Sequence, residues 1–160
     1  MTFEQMAMRF LIALLLGSII GLERSYIGKE AGVRTSMLVA GGAALFSIIA
    51  LSLPHVVAEM GSGISVQRVI EGTTFMNVIS SIVVGIGFLG GGIIIKTNEH
   101  VRGLTTAATI WATSAVGVLA GIGLISFSIF STVVITVLLY LLRNLNVAEL
   151  SGNSKKQKRK

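Results

Sequence analysis

Glu23, Arg24, Lys29, Arg34, Thr35, Lys96 and Arg102 all fall at the ends of apolar runs, and they are the residues with which this chain could do chemistry. A carboxylate among guanidinium and ammonium groups suits ion pairing and the capture of an anion. Bond cleavage needs more: a nucleophile, a base and an orienting acid within hydrogen-bond reach. No such set can be assembled from His55 and His100, which are expected at opposite membrane faces. There is no Cys, hence no disulfide, thiolate nucleophile or zinc cluster. Asp is absent too, and the seven Glu residues lie at or beyond the ends of the apolar runs. No span therefore carries the buried carboxylate of a cation or proton relay, and Mg²⁺, which favours carboxylate and water oxygens, finds little here. We expect no catalytic residue, no cofactor and no metal ligand.

The second candidate region is Gly85 to Trp111, GIGFLGGGIIIKTNEHVRGLTTAATIW. Gly85, Gly87 and Gly90 satisfy G-x-G-x-x-G, but a dinucleotide site needs a strand before the motif and a soluble helix after it. This one sits inside an apolar run. Each Gly costs a helix roughly 1 kcal/mol against Ala, so Gly85, Gly87, Gly90, Gly92 and Gly103 are expected to serve close packing or a bent backbone. Thr105, Thr106, Thr109 and Thr113 form a polar stripe that turns either to other helices or to a water-filled cavity. Trp111 lies too deep for an interfacial belt and is expected to pack within the bundle.

These residues are positioned by membrane-length segments. With 52% hydrophobic residues, 12% charged residues and a mean hydropathy of +0.84, the chain has no ordinary globular surface. A span needs about 20 apolar residues. Five stretches approach this: Met6 to Leu22, Thr35 to Leu53, Thr74 to Ile95, Gly103 to Ile122 and Ser126 to Leu142. The fold expected is all-α, a compact bundle of five transmembrane helices over 1–143 with a disordered basic tail over 144–160. Gly17/Gly21, Gly87/Gly91 and Gly117/Gly121 are G-x-x-x-G pairs that mark helix contact faces, within the bundle or between copies in a homo-oligomer.

Orientation follows from the basic residues. Laid alternately, the spans put eleven Lys and Arg on the side of the C-terminus and only Arg9 and Arg68 on the other. The positive-inside rule then places the N-terminus outside and the C-terminus in the cytoplasm. Five of the basic residues lie in the tail, Lys155 to Lys160, which is expected on anionic lipid rather than nucleic acid. In the cytoplasmic rim Glu23 is expected to pair with Arg34, leaving the other cations to attract phosphate, a lipid head group or an acidic partner loop.

The strings GLER, Lys29, AGVRTSMLV, GIGFLGGG and GLTTAATIW, in that order, resemble the membrane domain of the MgtC/SapB family. The likeness covers Phe10 to Leu142. It implies a bacterial inner-membrane protein, tied to growth at low magnesium, acid tolerance and survival in macrophages. It also implies modulation of other membrane machines, F-type ATP synthase and phosphate-uptake signalling among them, better than magnesium transport. By motif match the family positions are Glu23, Arg24, Lys29, Gly32, Arg34, Thr35, Gly85, Gly87, Gly90, Gly92, Gly103, Thr105, Thr106 and Trp111. The chain departs from the pattern at Asn77 and Ser81, where many members carry Arg and then Gln, and at Gly91, where Ala is usual. The tail SGNSKKQKRK stands where virulence-type members continue into a soluble domain, so the short form is expected. Two functions stay open: a non-enzymatic modulator of ion (Mg²⁺, phosphate, proton) homeostasis or membrane energetics that contacts other inner-membrane proteins, and a small-ion transporter with a Thr- and Gly-lined cavity.

Overall fold

The computed structural model describes residues 1–59, 74–97 and 100–157. It contains α1 (Phe3–Tyr26), α2 (Val33–Glu59), α3 (Thr74–Ile93), strands β1 (Ile95–Thr97) and β2 (His100–Arg102), α4 (Leu104–Ile122) and α5 (Ile125–Gln157). All five helices are long and apolar enough to cross a membrane.

Local chemistry accounts for the ends. α1 starts three residues before the expected Met6 because Thr2 and Gln5 form a capping box: the Thr2 hydroxyl accepts from the Gln5 amide at 3.4 Å, and the Gln5 side chain accepts from the Thr2 amide at 3.2 Å. The break between α4 and α5 is made by Gly123, whose φ of +97° suits glycine, with its amide bonded to Ala120 and the Leu124 amide to Leu119. The fourth and fifth spans are therefore separate helices. α2 runs through Pro54 to Glu59, so the first turns of the expected outer loop are helical; the rest of that loop, with Gly61, Gly63, Arg68 and Glu71, lies outside the described residues. The charged turn after α3 adds to the helices a short antiparallel hairpin, with Ile95 opposite Arg102 and Lys96 opposite Val101. α5 passes the expected domain boundary at Arg143 and continues as helix to Gln157, where disorder was expected, although only its Ile125–Arg143 part is membrane-like.

α4 is the centre, packing on each of the other four helices. The core it shares with α1 and α2 is made of small residues: Ala13, Ala40, Ala44 and Ala120 are fully or almost fully buried, with Leu16, Ile20, Ile110 and Val116 filling between them. Lipid offers no hydrophobic drive to join helices, so close van der Waals approach must do it. A Cβ on Gly121 would lie 2.7 Å from the Ala44 carbonyl oxygen, and one on Gly117 would strike the Ala40 carbonyl. α2 and α4 thus run parallel in near backbone contact, with α1 antiparallel beside them. At the end of the bundle away from the hairpin, Arg9 of α1 donates to the carbonyl of Gly121 at 3.1 Å. This satisfies one of the carbonyls left free at the end of α4.

Candidate functional site

The ends of α1, α4 and α5 meet the hairpin and the loop from Ile27 to Gly32 at one face of the bundle, here called the charged rim. Arg24 closes the row Gly17, Gly21, Arg24 on the buried side of α1, so its guanidinium enters the protein instead of reaching out. Its side chain is 3% exposed. Nη2 donates to Oγ1 of Thr106 in the first turn of α4 at 3.1 Å, and Nη1 stands 4.0 Å from Glu23. Nε has no partner. Glu23 is 8% exposed in its side chain, and neither carboxylate oxygen accepts a hydrogen bond. An unsatisfied buried charge is costly, so this cluster is an unusual expense for a helix end that could have been apolar.

Arg24 borders a cavity of about 860 Å³ whose wall includes Lys29, Glu30, Arg102, Thr105, Thr106 and Arg143. Four cations face one carboxylate across it. Arg143 is steadied by Tyr140, with its guanidinium carbon 5.0 Å from the ring centroid. Gly103 permits the sharp passage from β2 into α4: its φ is +85°, and a Cβ there would strike the carbonyl of Ile93. No side chain caps this helix start and no acidic residue occupies its first turn, so its amide dipoles face the cavity uncompensated.

The expected pairing of Glu23 with Arg34 is not formed. Glu23 meets its neighbour Arg24, while Arg34, exposed at the start of α2, lines with Thr35 a separate open groove of about 890 Å³ between α2 and α3. Helix rotation decides this: Ser36 and Ala40 carry the face of α2 turned to α1, and Arg34 lies off that face. The charges anticipated at one rim are therefore divided between two cavities. Lys96, on the hairpin position opposite Val101, is exposed and outside both linings. Glu99 lies outside the described residues.

The glycine and threonine expectations need similar revision. Gly90 packs against Ala107, with a Cβ there 3.4 Å from the alanine methyl, but Gly85, Gly87, Gly91 and Gly92 have nothing within 4 Å. The Gly87/Gly91 pair thus meets no other helix among the described residues. Thr109 and Thr113 are buried yet donate to the carbonyls of Thr105 and Thr109, four residues back on their own helix, at 2.7 and 2.8 Å. Their hydroxyls neither bridge helices nor reach the rim cavity, which stops at Thr105 and Thr106. Trp111 is 50% exposed and not packed in the bundle. It shares an outward strip of α4 with Leu104, Ala108 and Ala115. Among the described residues, no three His, Cys, Asp or Glu side chains gather as a metal site.

Two residues of this region escaped the sequence reading. Arg143, next after the fifth span, was counted among the eleven basic residues on the side of Arg24 but not placed in the site. Ser36, buried with an unpartnered hydroxyl, had no signal in the sequence, because its burial follows from the rotation of α2.

Comparison with known proteins places the chain. A model of the MgtC family matches residues 10–148. "Protein MgtC" of Brucella abortus (strain 2308) is 46% identical over 133 residues, 83% of this chain and 49% of that protein. An uncharacterized protein of Synechocystis sp. is 37% identical over 91% of this chain and 56% of its own length. "Putative magnesium transporter YhiD" of Escherichia coli (strain K12) is 35% identical over 92% of this chain and 67% of that protein. The chain thus spans about half the length of the first of these relatives. No solved structure matches it significantly.

Proposed function

The chain belongs to the MgtC family, and we propose from that premise that it is a non-enzymatic, multi-pass protein of a bacterial inner membrane that serves magnesium homeostasis by regulating other membrane proteins. The regulation works through helix contact rather than through carriage of an ion. The magnesium link rests on the name of the Escherichia coli relative.

One observation carries the choice of mechanism. Gly87 and Gly91, which share one side of α3 and have no neighbour within 4 Å of a Cβ among the described residues, give up helix stability without a contact that repays it there. Another transmembrane helix seated there recovers that loss through close approach. Gly85 lines the groove between α2 and α3, whereas Gly87 and Gly91, about 200–240° further round the helix at 3.6 residues per turn, lie on the far side of α3 from that groove. Carriage of Mg²⁺ is less favoured, because Asp is absent and every Glu lies at or beyond the end of an apolar run, so no span offers the carboxylate oxygens that Mg²⁺ prefers.

The test combines flux and growth. Proteoliposomes of the purified chain are expected to pass no more Mg²⁺ than empty liposomes. Gly87→Leu is expected to abolish support of growth at low magnesium at unchanged protein level. Saturable Mg²⁺ flux supports the transporter reading instead, and full growth with Gly87→Leu ends the contact argument.

A further inference from the structure

The geometry points to a binding site for a phosphate monoester or inorganic phosphate in the rim cavity, held by Arg24, Lys29, Arg102, Arg143 and the first turn of α4. The inference concerns a ligand of this chain and does not depend on which partner α3 meets.

Three independent features converge on one volume. The first is charge: four cations and the carboxylate of Glu30 line the cavity, and Glu23 stands 4.0 Å from Arg24, so two positive charges remain in excess, which suits a ligand with two negative charges. The second is the start of α4, where Leu104, Thr105 and Thr106 line the cavity and no capping side chain bonds the helix start. Such a turn offers free amides to an anion. The third points most directly to a ligand. Arg24 is buried, lines the cavity, and retains an Nε with no acceptor. Nε is closed to solvent in this structure, so a ligand oxygen completes the guanidinium after a small shift of the side chain toward the cavity it borders.

Direction distinguishes phosphate from a carboxylate. The donors arrive from α1, from the following loop, from β2, from α4 and from α5, which surrounds the ligand on several sides. A carboxylate has two oxygens in one plane, whereas a phosphate monoester presents three around a tetrahedral centre. Ile27, Leu139 and Leu142 also line the cavity, so a head group whose acyl chains lie along α5 fits as well as a free ion does. The two sources share the same chemistry at the phosphorus.

The experiment uses the full chain purified in detergent. One arm titrates inorganic phosphate against chloride at matched ionic strength by calorimetry. The other measures retention of phosphatidic acid, a monoester, against phosphatidylglycerol, a diester, by native mass spectrometry. Binding of at least one monoester probe is expected, with Arg24→Gln and Arg102→Gln each weakening it about tenfold, the loss of one charge-assisted hydrogen bond. Arg102 and Lys29 are exposed, so Arg102→Gln and Lys29→Gln remain informative if Arg24→Gln fails to fold. Phosphate binding in the first arm identifies the free ion, and selective retention in the second identifies the lipid. Three results overturn the proposal. They are no binding in either arm, binding that ignores all three substitutions and therefore resides on the basic tail, or tighter capture of a poly-glutamate peptide with the same dependence on Arg24 and Arg102, which makes an acidic protein segment the ligand.

Discussion

Arg24 Nη2 and Thr106 Oγ1 lie 3.1 Å apart, and this hydrogen bond ties the last turn of α1 to the first turn of α4. Thr106→Val removes the acceptor without changing shape and leaves a second guanidinium nitrogen unmet. A loss of roughly 1–3 kcal/mol is expected. Unfolding of the purified protein in detergent measures it. Arg24→Gln combined with Thr106→Val should cost less than the sum of the single changes. Additive losses mean that the bond contributes nothing.

The glycines sort into two classes that substitution should separate. Gly121→Leu forces α2 from α4 at the Ala44 carbonyl, and overpacking of this kind costs about 1–3 kcal/mol. Gly87→Ala meets nothing within 4 Å and should raise thermal stability by up to about 1 kcal/mol through helix propensity. Equal effects at both sites would remove the distinction drawn between inner and outer glycine faces.

Orientation can be read by thiol labelling, since the chain has no cysteine of its own. Thr2→Cys, before α1, should react with a membrane-impermeant reagent on intact cells, and Lys29→Cys, between α1 and α2, should react only after lysis. The reverse pattern puts the charged rim outside.

The basic tail should behave as an electrostatic anchor. A peptide of residues 144–160 is expected to bind anionic vesicles, with each Lys or Arg near the surface contributing about 1 kcal/mol. The binding should fall steeply between low and physiological salt as the Debye length shrinks to about 8 Å. Binding that is indifferent to salt excludes this account.

Hydropathy was sufficient to find the five spans, because length and composition alone decide whether a helix can cross lipid. The departures at the ends came from side-chain bonds, as with Thr2 and Gln5, that hydropathy does not register. Facing was harder to read. Gly17/Gly21, Gly117/Gly121 and Gly87/Gly91 are equivalent as strings, yet the first two pairs meet α2 and the third meets open space. Trp111 shows the same blindness: in a membrane protein both the inner and the outer strip of a helix are apolar, so periodicity does not tell protein from lipid. For the rim, residue type brought charged side chains to one end of the bundle, but pairing Glu23 with Arg34 by closeness in the chain missed the rotation of α2 that turns Arg34 toward α3.

The central place of α4 bears on the order in which the protein can be made. Synthesis delivers α1, α2 and α3 before the helix that joins them, and domains assemble as the chain emerges. A nascent chain that has reached only Ile93 has α1 seated on α2 through Gly17 and Ala40, but lacks the helix that meets the Ala40 and Ala44 carbonyls, and its Arg24 has no threonine to meet. The arrival of Thr106 and Gly117 closes both at once. Insertion of α4 is therefore the step at which both the guanidinium and the alanine carbonyl face acquire their partners.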